Sequence, residues 1–159
     1  MSSKVLVSDP KKCTGCRLCE SACSVRHEGE CDPRKSRIQI IDWNNQGIFL
    51  PVFCQQCEDG SCMAACPKGA ICRDEEMNRV IVDYDRCISC KTCISACPFG
   101  AIGFDEDRRK IVRCDLCDGD PQCVRFCEPK ALSFIDRSML CYPNIRESAR
   151  KFTGIQKAA

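Results

Sequence analysis

Short apolar segments, rather than long amphipathic ones, form the hydrophobic pattern of this chain. Residues 4–8 alternate apolar and polar positions, which is the period of a half-buried strand. Comparable segments recur, and they predict further strands at residues 37–41, 48–53, 79–83, 111–113 and 131–135 and around Ile71 and Ile102. Asn44-Asn45-Gln46-Gly47 predicts a hairpin turn between residues 37–41 and 48–53. Since helical periodicity is confined to short stretches, we expect an α+β fold of small elements.

Four cysteine runs lie between these predicted strands. They are Cys13-x2-Cys16-x2-Cys19-x3-Cys23, Cys54-x2-Cys57-x4-Cys62-x3-Cys66, Cys87-x2-Cys90-x2-Cys93-x3-Cys97 and Cys114-x2-Cys117-x5-Cys123-x3-Cys127. The repeating unit is a strand, a loop with three cysteines, a short helix carrying the fourth cysteine, and a returning strand. An internal repeat of this kind outweighs any single element in predicting the fold. Four copies predict two ferredoxin-like halves.

The spacing of the third run is typical of a ligand set for a [4Fe-4S] cluster. Its pattern, Cys-x2-Cys-x2-Cys-x3-Cys-Pro, places three thiolates on one loop and sends the fourth to a second cluster. Structural zinc is the competing interpretation. Zinc sites usually combine two Cys-x2-Cys pairs, or cysteine with histidine, and this chain has a single histidine. We therefore expect four [4Fe-4S] clusters held by sixteen cysteines.

The runs also suggest how the fourth cysteines are exchanged. Runs two and three share a proline after the fourth cysteine and the continuation Pro-x-Gly-Ala-Ile, whereas runs one and four lack that proline. Pairing like with like is a nested arrangement, and it predicts four ligand sets: Cys13, Cys16, Cys19 with Cys127; Cys114, Cys117, Cys123 with Cys23; Cys54, Cys57, Cys62 with Cys97; and Cys87, Cys90, Cys93 with Cys66. Pairing run one with two and run three with four uses the same sixteen cysteines with different wiring.

Residues 4–136 resemble the four-cluster electron-transfer subunits of molybdenum and tungsten oxidoreductases. The wider second and fourth loops, Cys-x2-Cys-x4-Cys and Cys-x2-Cys-x5-Cys, carry the resemblance together with the two regular runs. Relatives of this type serve dimethyl sulfoxide reductase, formate dehydrogenase, formate hydrogenlyase and tungsten aldehyde oxidoreductase. The short chain most resembles the small subunits that accompany tungsten aldehyde oxidoreductases or formate–hydrogen enzymes, and we favour the first. The resemblance implies the nested pairing and a molybdenum or tungsten catalytic partner.

We expect three regions in the chain. Residues 1–53 with 114–136 form an outer ferredoxin-like module, residues 54–113 form an inner module, and residues 137–159 form a C-terminal docking tail. In the tail, Pro143 can open a helix whose apolar stripe is formed by Ile145, Ala149, Phe152 and Ile155. This helix either packs on its own domain or docks a neighbouring subunit, such as another copy of the chain.

Composition and charge narrow the expected location and partners. Nineteen cysteines without a recognisable signal peptide or an apolar segment of membrane-spanning length predict a cytoplasmic protein with reduced thiols. The formal net charge is +2 with the cysteines counted as neutral. Sixteen thiolates and four oxidised cluster cores would bring it to roughly −6. Together with the scattered lysines and arginines, this charge argues against nucleic acid as a partner.

The sequence contains no catalytic constellation, nucleotide loop or open metal site. We therefore predict a non-catalytic subunit that relays electrons between a molybdenum or tungsten subunit acting on an aldehyde or formate and a second partner, such as a flavin or hydrogenase subunit. A free polyferredoxin and a purely structural metalloprotein are the alternatives.

Several residues lie outside these expected roles. Cys31, Cys72 and Cys141 lie outside the runs and are expected to be packing residues or free thiols. His27 is expected in a loop, where it would tune a potential if close to a cluster. Trp43 fits either an exposed contact or a core position.

Overall fold

The computed structural model describes residues 4–43 and 47–140 of the chain. Its strands are β1 (Lys4–Ser8), β2 (Ile38–Asp42), β3 (Phe49–Phe53), β4 (Ile71–Asp74), β5 (Arg79–Val82), β6 (Ile102–Asp105), β7 (Lys110–Arg113) and β8 (Leu132–Asp136). Within these residues they form four antiparallel pairs, which are β1–β8, β2–β3, β4–β5 and β6–β7. The predicted strands are thus confirmed to within a few residues, and so is the α+β class.

Four short α-helices follow the cysteine loops. They are α1 (Leu18–Glu28), α2 (Ser61–Ala64), α3 (Thr92–Ala96) and α4 (Gln122–Arg125). Helix α1 packs against α4, and α2 packs against α3. The helices of the first and last runs therefore meet each other, as do those of the two middle runs.

The predicted position of the fourth cysteine within the helix is wrong for three of the four runs. Helices α2, α3 and α4 carry the third cysteine of their run, and the fourth follows the helix end at Cys66, Cys97 and Cys127. Proline directly follows Cys66 and Cys97, and a residue before proline is disfavoured in the helical conformation. Cys97 accordingly has extended backbone angles, φ −79° and ψ 113°.

Helix α1 continues through its fourth cysteine, where Ser24 stands in place of that proline and is held by side-chain hydrogen bonds. The Ser24 side chain is fully buried, donates a hydrogen bond to the Ser21 carbonyl at 3.0 Å and accepts one from the Asp32 N–H at 3.1 Å. The helix ends only at Gly29, whose φ of 75° is the left-handed cap conformation that glycine favours. This longer helix includes His27, so the expectation of a loop at His27 is also wrong.

Two groups of buried side chains form the core. The larger one combines Leu6, Ile38, Ile40, Phe53, Ala101, Leu116 and Leu132 with Cys19, Cys23, Cys54, Cys114 and Cys123. The smaller one consists of Ile71, Val80, Cys93, Ile102 and Ile111. Cys97 packs against both, so the two cores meet at a cysteine. Sulfur atoms therefore contribute much of the interior of this protein.

Other predictions concern exposed or undescribed residues. Trp43 is 52% exposed and does not fill a core position, and Cys31 is exposed while Cys72 is partly buried. The backbone N–H of Trp43 donates to the Ile48 carbonyl at 2.9 Å across the predicted turn, whose residues 44–46 lie outside the described range. Cys141 and the predicted tail helix from Pro143 also lie outside it. No helix in the described ranges is long and apolar enough to cross a membrane.

Candidate metal centres

The four cysteine loops share one unusual backbone position. The second residue after the first cysteine has a positive φ in every run, with values of 71° at Gly15, 52° at Gln56, 57° at Ser89 and 61° at Leu116. A non-glycine residue held in this region costs about 1–3 kcal/mol unless its surroundings enforce it. Turns of this kind direct successive N–H groups into a concavity that binds anions, including the ligands of iron–sulfur sites. The repeated backbone conformation therefore indicates that all four loops surround the same kind of anionic group, which cysteine thiolates around a metal core would provide.

Glycine is required at position 15 for a second reason besides its backbone angle, which is the lack of space for a Cβ atom. A Cβ atom at this position would lie 2.6 Å from ring carbons of Phe49 in β3. The first loop therefore packs its backbone directly against an aromatic ring, and only glycine allows that approach.

The structure brings cysteines from different runs to three shared cavities. We call site A the group Cys13, Cys16, Cys19 and Cys127. Site C comprises Cys54, Cys57, Cys62 and Cys97 around a cavity of about 210 Å³. Site D comprises Cys66, Cys87, Cys90 and Cys93. Each cavity thus joins three cysteines of one run to the last cysteine of another.

The remaining run cysteines form a more deeply buried group, site B, which comprises Cys23, Cys114, Cys117 and Cys123. Burial raises the pKa of the Cys123 thiol, and the neighbouring thiolates of Cys23 and Cys117 raise it further. Burial also raises the pKa of Cys114 well above its usual value. Buried thiols this close together resist ionisation. When a cationic metal core binds, it displaces their protons and stabilises them as thiolates.

Electrostatic neighbours across the sites indicate their order. Burial and closer thiolates dominate the pKa of Cys123, but Cys19 of site A also raises it. Cys54 of site C likewise adds to the burial that raises the pKa of Cys114, and Cys62 adds to the burial that raises the pKa of Cys93. Site B therefore neighbours sites A and C, and site C neighbours site D. The spatial order is A, B, C, D.

Backbone N–H groups point at three of the four last cysteines. The donors are Arg37 to Cys23 at 3.3 Å, Ala70 to Cys66 at 3.2 Å and Leu132 to Cys127 at 3.4 Å. At Cys66, burial alone would raise the pKa of the thiol, but the N–H groups of Ala70, Lys68 and Ile71 together lower it. Hydrogen bonds that favour the thiolate are the environment that a cluster ligand requires. The donor sets therefore fit [4Fe-4S] clusters.

Each of the two central sites has a basic side chain close to a cysteine sulfur. At site C, Arg113 is 3% exposed, and its Nη2 lies 2.6 Å from the Cys54 Sγ and its Nη1 3.9 Å from the Cys62 Sγ. At site B, the His27 Nε2 lies 3.5 Å from the Cys117 Sγ and 3.5 Å from Asp115 Oδ1. Burial lowers the pKa of His27, so its neutral form is favoured at neutral pH.

Sequence reasoning missed Arg113, although a signal was present. In β7, Ile111 and Arg113 are buried while Lys110 is exposed, so strand alternation directs the arginine inward. The residue in the same place before the third run, Arg86, is exposed. His27 was considered as a residue that could tune a cluster, and its helix brings it to Cys117.

Sites A and D, the terminal sites, differ from the central sites in the exposure of their cysteines. Of the sixteen run cysteines, Cys16 and Cys90 are exposed, and each is the middle cysteine of a regular run. Ile88, beside Cys90, and Phe126, at site A, are large apolar side chains that are 58% and 57% exposed. Sites A and D therefore each have an exposed cysteine, whereas the cysteines of site B are buried and those of site C are buried or partly buried.

Comparisons with known proteins agree with the chemistry of these sites. A 4Fe-4S dicluster domain matches residues 45–137, and a 4Fe-4S binding domain matches residues 10–26. The chain is 43% identical over 118 residues to an aliphatic sulfonate oxidoreductase, polyferredoxin-like subunit, of Pyrococcus furiosus, which covers 74% of this chain and 68% of that protein. It is 35% identical over 165 residues to the electron transport protein HydN of Escherichia coli, which covers 87% and 91%.

A solved structure with a similar fold belongs to an oxidoreductase. It is the active site complex BamBC of benzoyl coenzyme A reductase in complex with benzoyl-CoA, which aligns over 93% of this chain and 89% of that chain with a TM-score of 0.51 and 25% identity. Relatives of this chain are thus iron–sulfur electron-transfer proteins, among them subunits of larger oxidoreductases.

Proposed function

We propose a cluster content for this chain, which belongs to the family of 4Fe-4S dicluster iron–sulfur proteins. Its sixteen run cysteines hold four [4Fe-4S] clusters, one at each of sites A to D. The observation that carries the proposal is the gathering of three cysteines of one run with the last of another at the shared cavities. The outer module, residues 1–53 and 114–136, would hold sites A and B, and the inner module, residues 54–113, would hold sites C and D.

The proposed role is single-electron relay. A [4Fe-4S] cluster with four cysteine ligands exchanges one electron and leaves no coordination position for a substrate. The residues of the chain fix the order of the sites, donate hydrogen bonds to the sulfurs and keep water away from the centre. Exposed Cys16 and Cys90 at opposite ends of the order support entry at one terminal site and exit at the other.

The proposed setting is a larger oxidoreductase in which another chain performs catalysis. A molybdenum or tungsten subunit acting on an aldehyde or formate is the favoured partner at one end, and a flavin or hydrogenase subunit is the favoured partner at the other. The relatives that are named as oxidoreductase subunits support this setting. Residues 137–159 would dock a neighbouring subunit or a further copy of the chain, in the cytoplasm.

The alternative is a free polyferredoxin that carries electrons between soluble enzymes. Exposure of a cysteine at both ends suits a carrier as well as a subunit, and one relative is named simply as an electron transport protein. Anaerobic purification from the native source distinguishes the two, because a subunit co-purifies with a catalytic chain whereas a carrier elutes alone.

The cluster content is tested on anaerobically prepared protein. Iron and acid-labile sulfide analysis should give four clusters per chain, and electron paramagnetic resonance of the reduced protein should show interacting [4Fe-4S] signals. Zinc in place of iron and sulfide would refute the proposal. Reduction too slow for turnover would favour a structural role for the clusters.

A further inference from the structure

The environment of Arg113 is unusual for an arginine. Its side chain is almost completely buried, and its Nε has no hydrogen-bond partner. Among the described residues it forms no ion pair with a carboxylate, and its two terminal nitrogens face the sulfurs of Cys54 and Cys62. The guanidinium therefore relies on cysteine sulfur for its negative partner.

A buried cation of this kind requires a buried anion. An arginine stays protonated in proteins, and an unpaired buried charge is strongly destabilising. Neutral thiols at Cys54 and Cys62 would leave that charge uncompensated, whereas thiolates bound to a cluster core would compensate it. Four thiolates around an oxidised core carry a net charge of about −2, and reduction adds one more negative charge.

The same contact distinguishes the oxidised from the reduced state. A positive charge held beside the sulfurs in a low-dielectric interior stabilises the more negative, reduced state the most. Arg73 adds positive charge to the same loop, because its Nη2 donates to the carbonyls of Gln56 and Cys57. Two arginines therefore lie beside the cysteines of site C, whose cavity is also lined by Asp59.

Site B, the neighbouring site, has a different charge environment. Asp115 lies between two basic side chains there, with its Oδ1 3.5 Å from the His27 Nε2 and its Oδ2 2.6 Å from the Arg37 Nη1. The arginine beside site B is thus paired with a carboxylate, whereas Arg113 beside site C has no such pair among the described residues.

We propose that Arg113 gives site C the highest reduction potential of the four sites, so that the first electron entering the protein rests there. This inference rests on the proposed function, since it requires a cluster at site C. The change is the gain of one electron from a chemical reductant such as dithionite, and it involves no bond cleavage and no proton transfer. Arg113 is a positioning residue, because it acts through the sulfurs of Cys54 and Cys62.

The test is an anaerobic potentiometric titration of the whole protein followed by electron paramagnetic resonance. In R113M, the component of highest potential should become at least tenfold harder to reduce, which for one electron corresponds to about 59 mV. R113K keeps the charge but loses the two-pronged geometry, so its shift should be smaller. R86M is the matched control, because Arg86 precedes the third run as Arg113 precedes the fourth but is exposed.

The outcomes separate this inference from the proposed function. Wild-type protein without iron and sulfide refutes the proposed function itself. Four clusters in R113M with an unchanged highest potential, or a shift confined to a component of lower potential, overturns the assignment to Arg113. If R113M loses a cluster, loss of the highest-potential signal supports the inference and loss of another signal overturns it, and R113K provides the shift measurement in a variant that retains the charge.

Discussion

The terminal sites and the central sites use the same ligand pattern in different surroundings. Sites A and D take three cysteines each from the regular runs, and each exposes its middle cysteine, Cys16 or Cys90. Sites C and B take theirs from the wider runs, and their cysteines are buried or partly buried. In the proposed relay, burial and nearby charge, rather than ligand identity, would distinguish a site that meets a partner from one that only passes electrons on.

The additional residues of the wider loops help to build those surroundings. In run two, Glu58 forms an ion pair with Arg137, which also donates to the Gln56 carbonyl at 3.0 Å. In run four, Asp118 pairs with Arg79 at 2.5 Å. The longer loops therefore recruit arginines from other elements.

The largest expected difference in stability is between the loss of a central cysteine and the loss of a terminal one. C114S should lose the cluster of site B, about a quarter of the iron, and should also destabilise the remainder because metal binding and folding are coupled in a buried site. C16S should affect only site A and leave the other three clusters bound. Iron and sulfide analysis with anaerobic thermal unfolding measures both variants, and equal loss of stability would contradict the comparison.

Site A has an exposed cysteine, and its loop is nevertheless tightly packed at Gly15. G15A should lower the free energy of unfolding by about 2–4 kcal/mol, because it combines left-handed strain with the overlap on the Phe49 ring. G100A is the control, since Gly100 also has a positive φ but would place its Cβ in open space. Its cost should be about 1–2 kcal/mol from strain alone. Chemical denaturation of the loaded protein checks this, and similar losses would contradict it.

The junction between sites B and C should depend on Gln56. Its buried side chain donates to the Cys114 carbonyl at 2.9 Å and accepts from the Val80 N–H at 2.7 Å. Q56A leaves both backbone groups without a partner and should cost about 1–3 kcal/mol. Exposed Gln55 is the adjacent control, and Q55A should change stability by about 0.5 kcal/mol or less. If thermal unfolding gives the same stability for Q56A and Q55A, Gln56 does not stabilise the junction.

The smallest effect is expected for the exposed ion pair beside site D. Lys91 and Glu106 lie 3.1 Å apart, with 48% and 78% of their side chains exposed. E106Q should change the free energy of unfolding by less than about 1 kcal/mol, because solvent screens such pairs. A larger loss in denaturant titration would show that site D is more enclosed than its exposure indicates.

The sequence predicted the fold well because the cysteine repeat and the strand alternation reinforce each other. Residues 4–8 and 131–135 were assigned as strands, and the structure pairs them as β1 and β8. Proline accounts for part of what the repeat left open, because Pro67 and Pro98 disfavour helix at the fourth cysteine, whereas α1 with Ser24 continues. It does not account for α4, which ends before Cys127 although Glu128 follows that cysteine.

The surroundings of the sites were harder to predict. The contact between Arg113 and Cys54 joins residues far apart in the chain, and no local pattern specifies which sulfur an inward arginine will reach. The charged neighbours of His27 favour a loop, yet the residue lies in α1 and comes within 3.5 Å of Cys117 where α1 packs against α4. Long-range packing therefore determines the charges at the central sites.

The pairing of β1 with β8 has a consequence for biosynthesis. All the cysteines of sites C and D lie between Cys54 and Cys97, whereas site A also needs Cys127, which is translated after all of them. A nascent chain emerges from its N-terminus at about 5–20 residues per second, and its units fold as they become complete. Cofactor insertion would therefore begin at the two middle runs, while Cys13, Cys16 and Cys19 wait for Cys127.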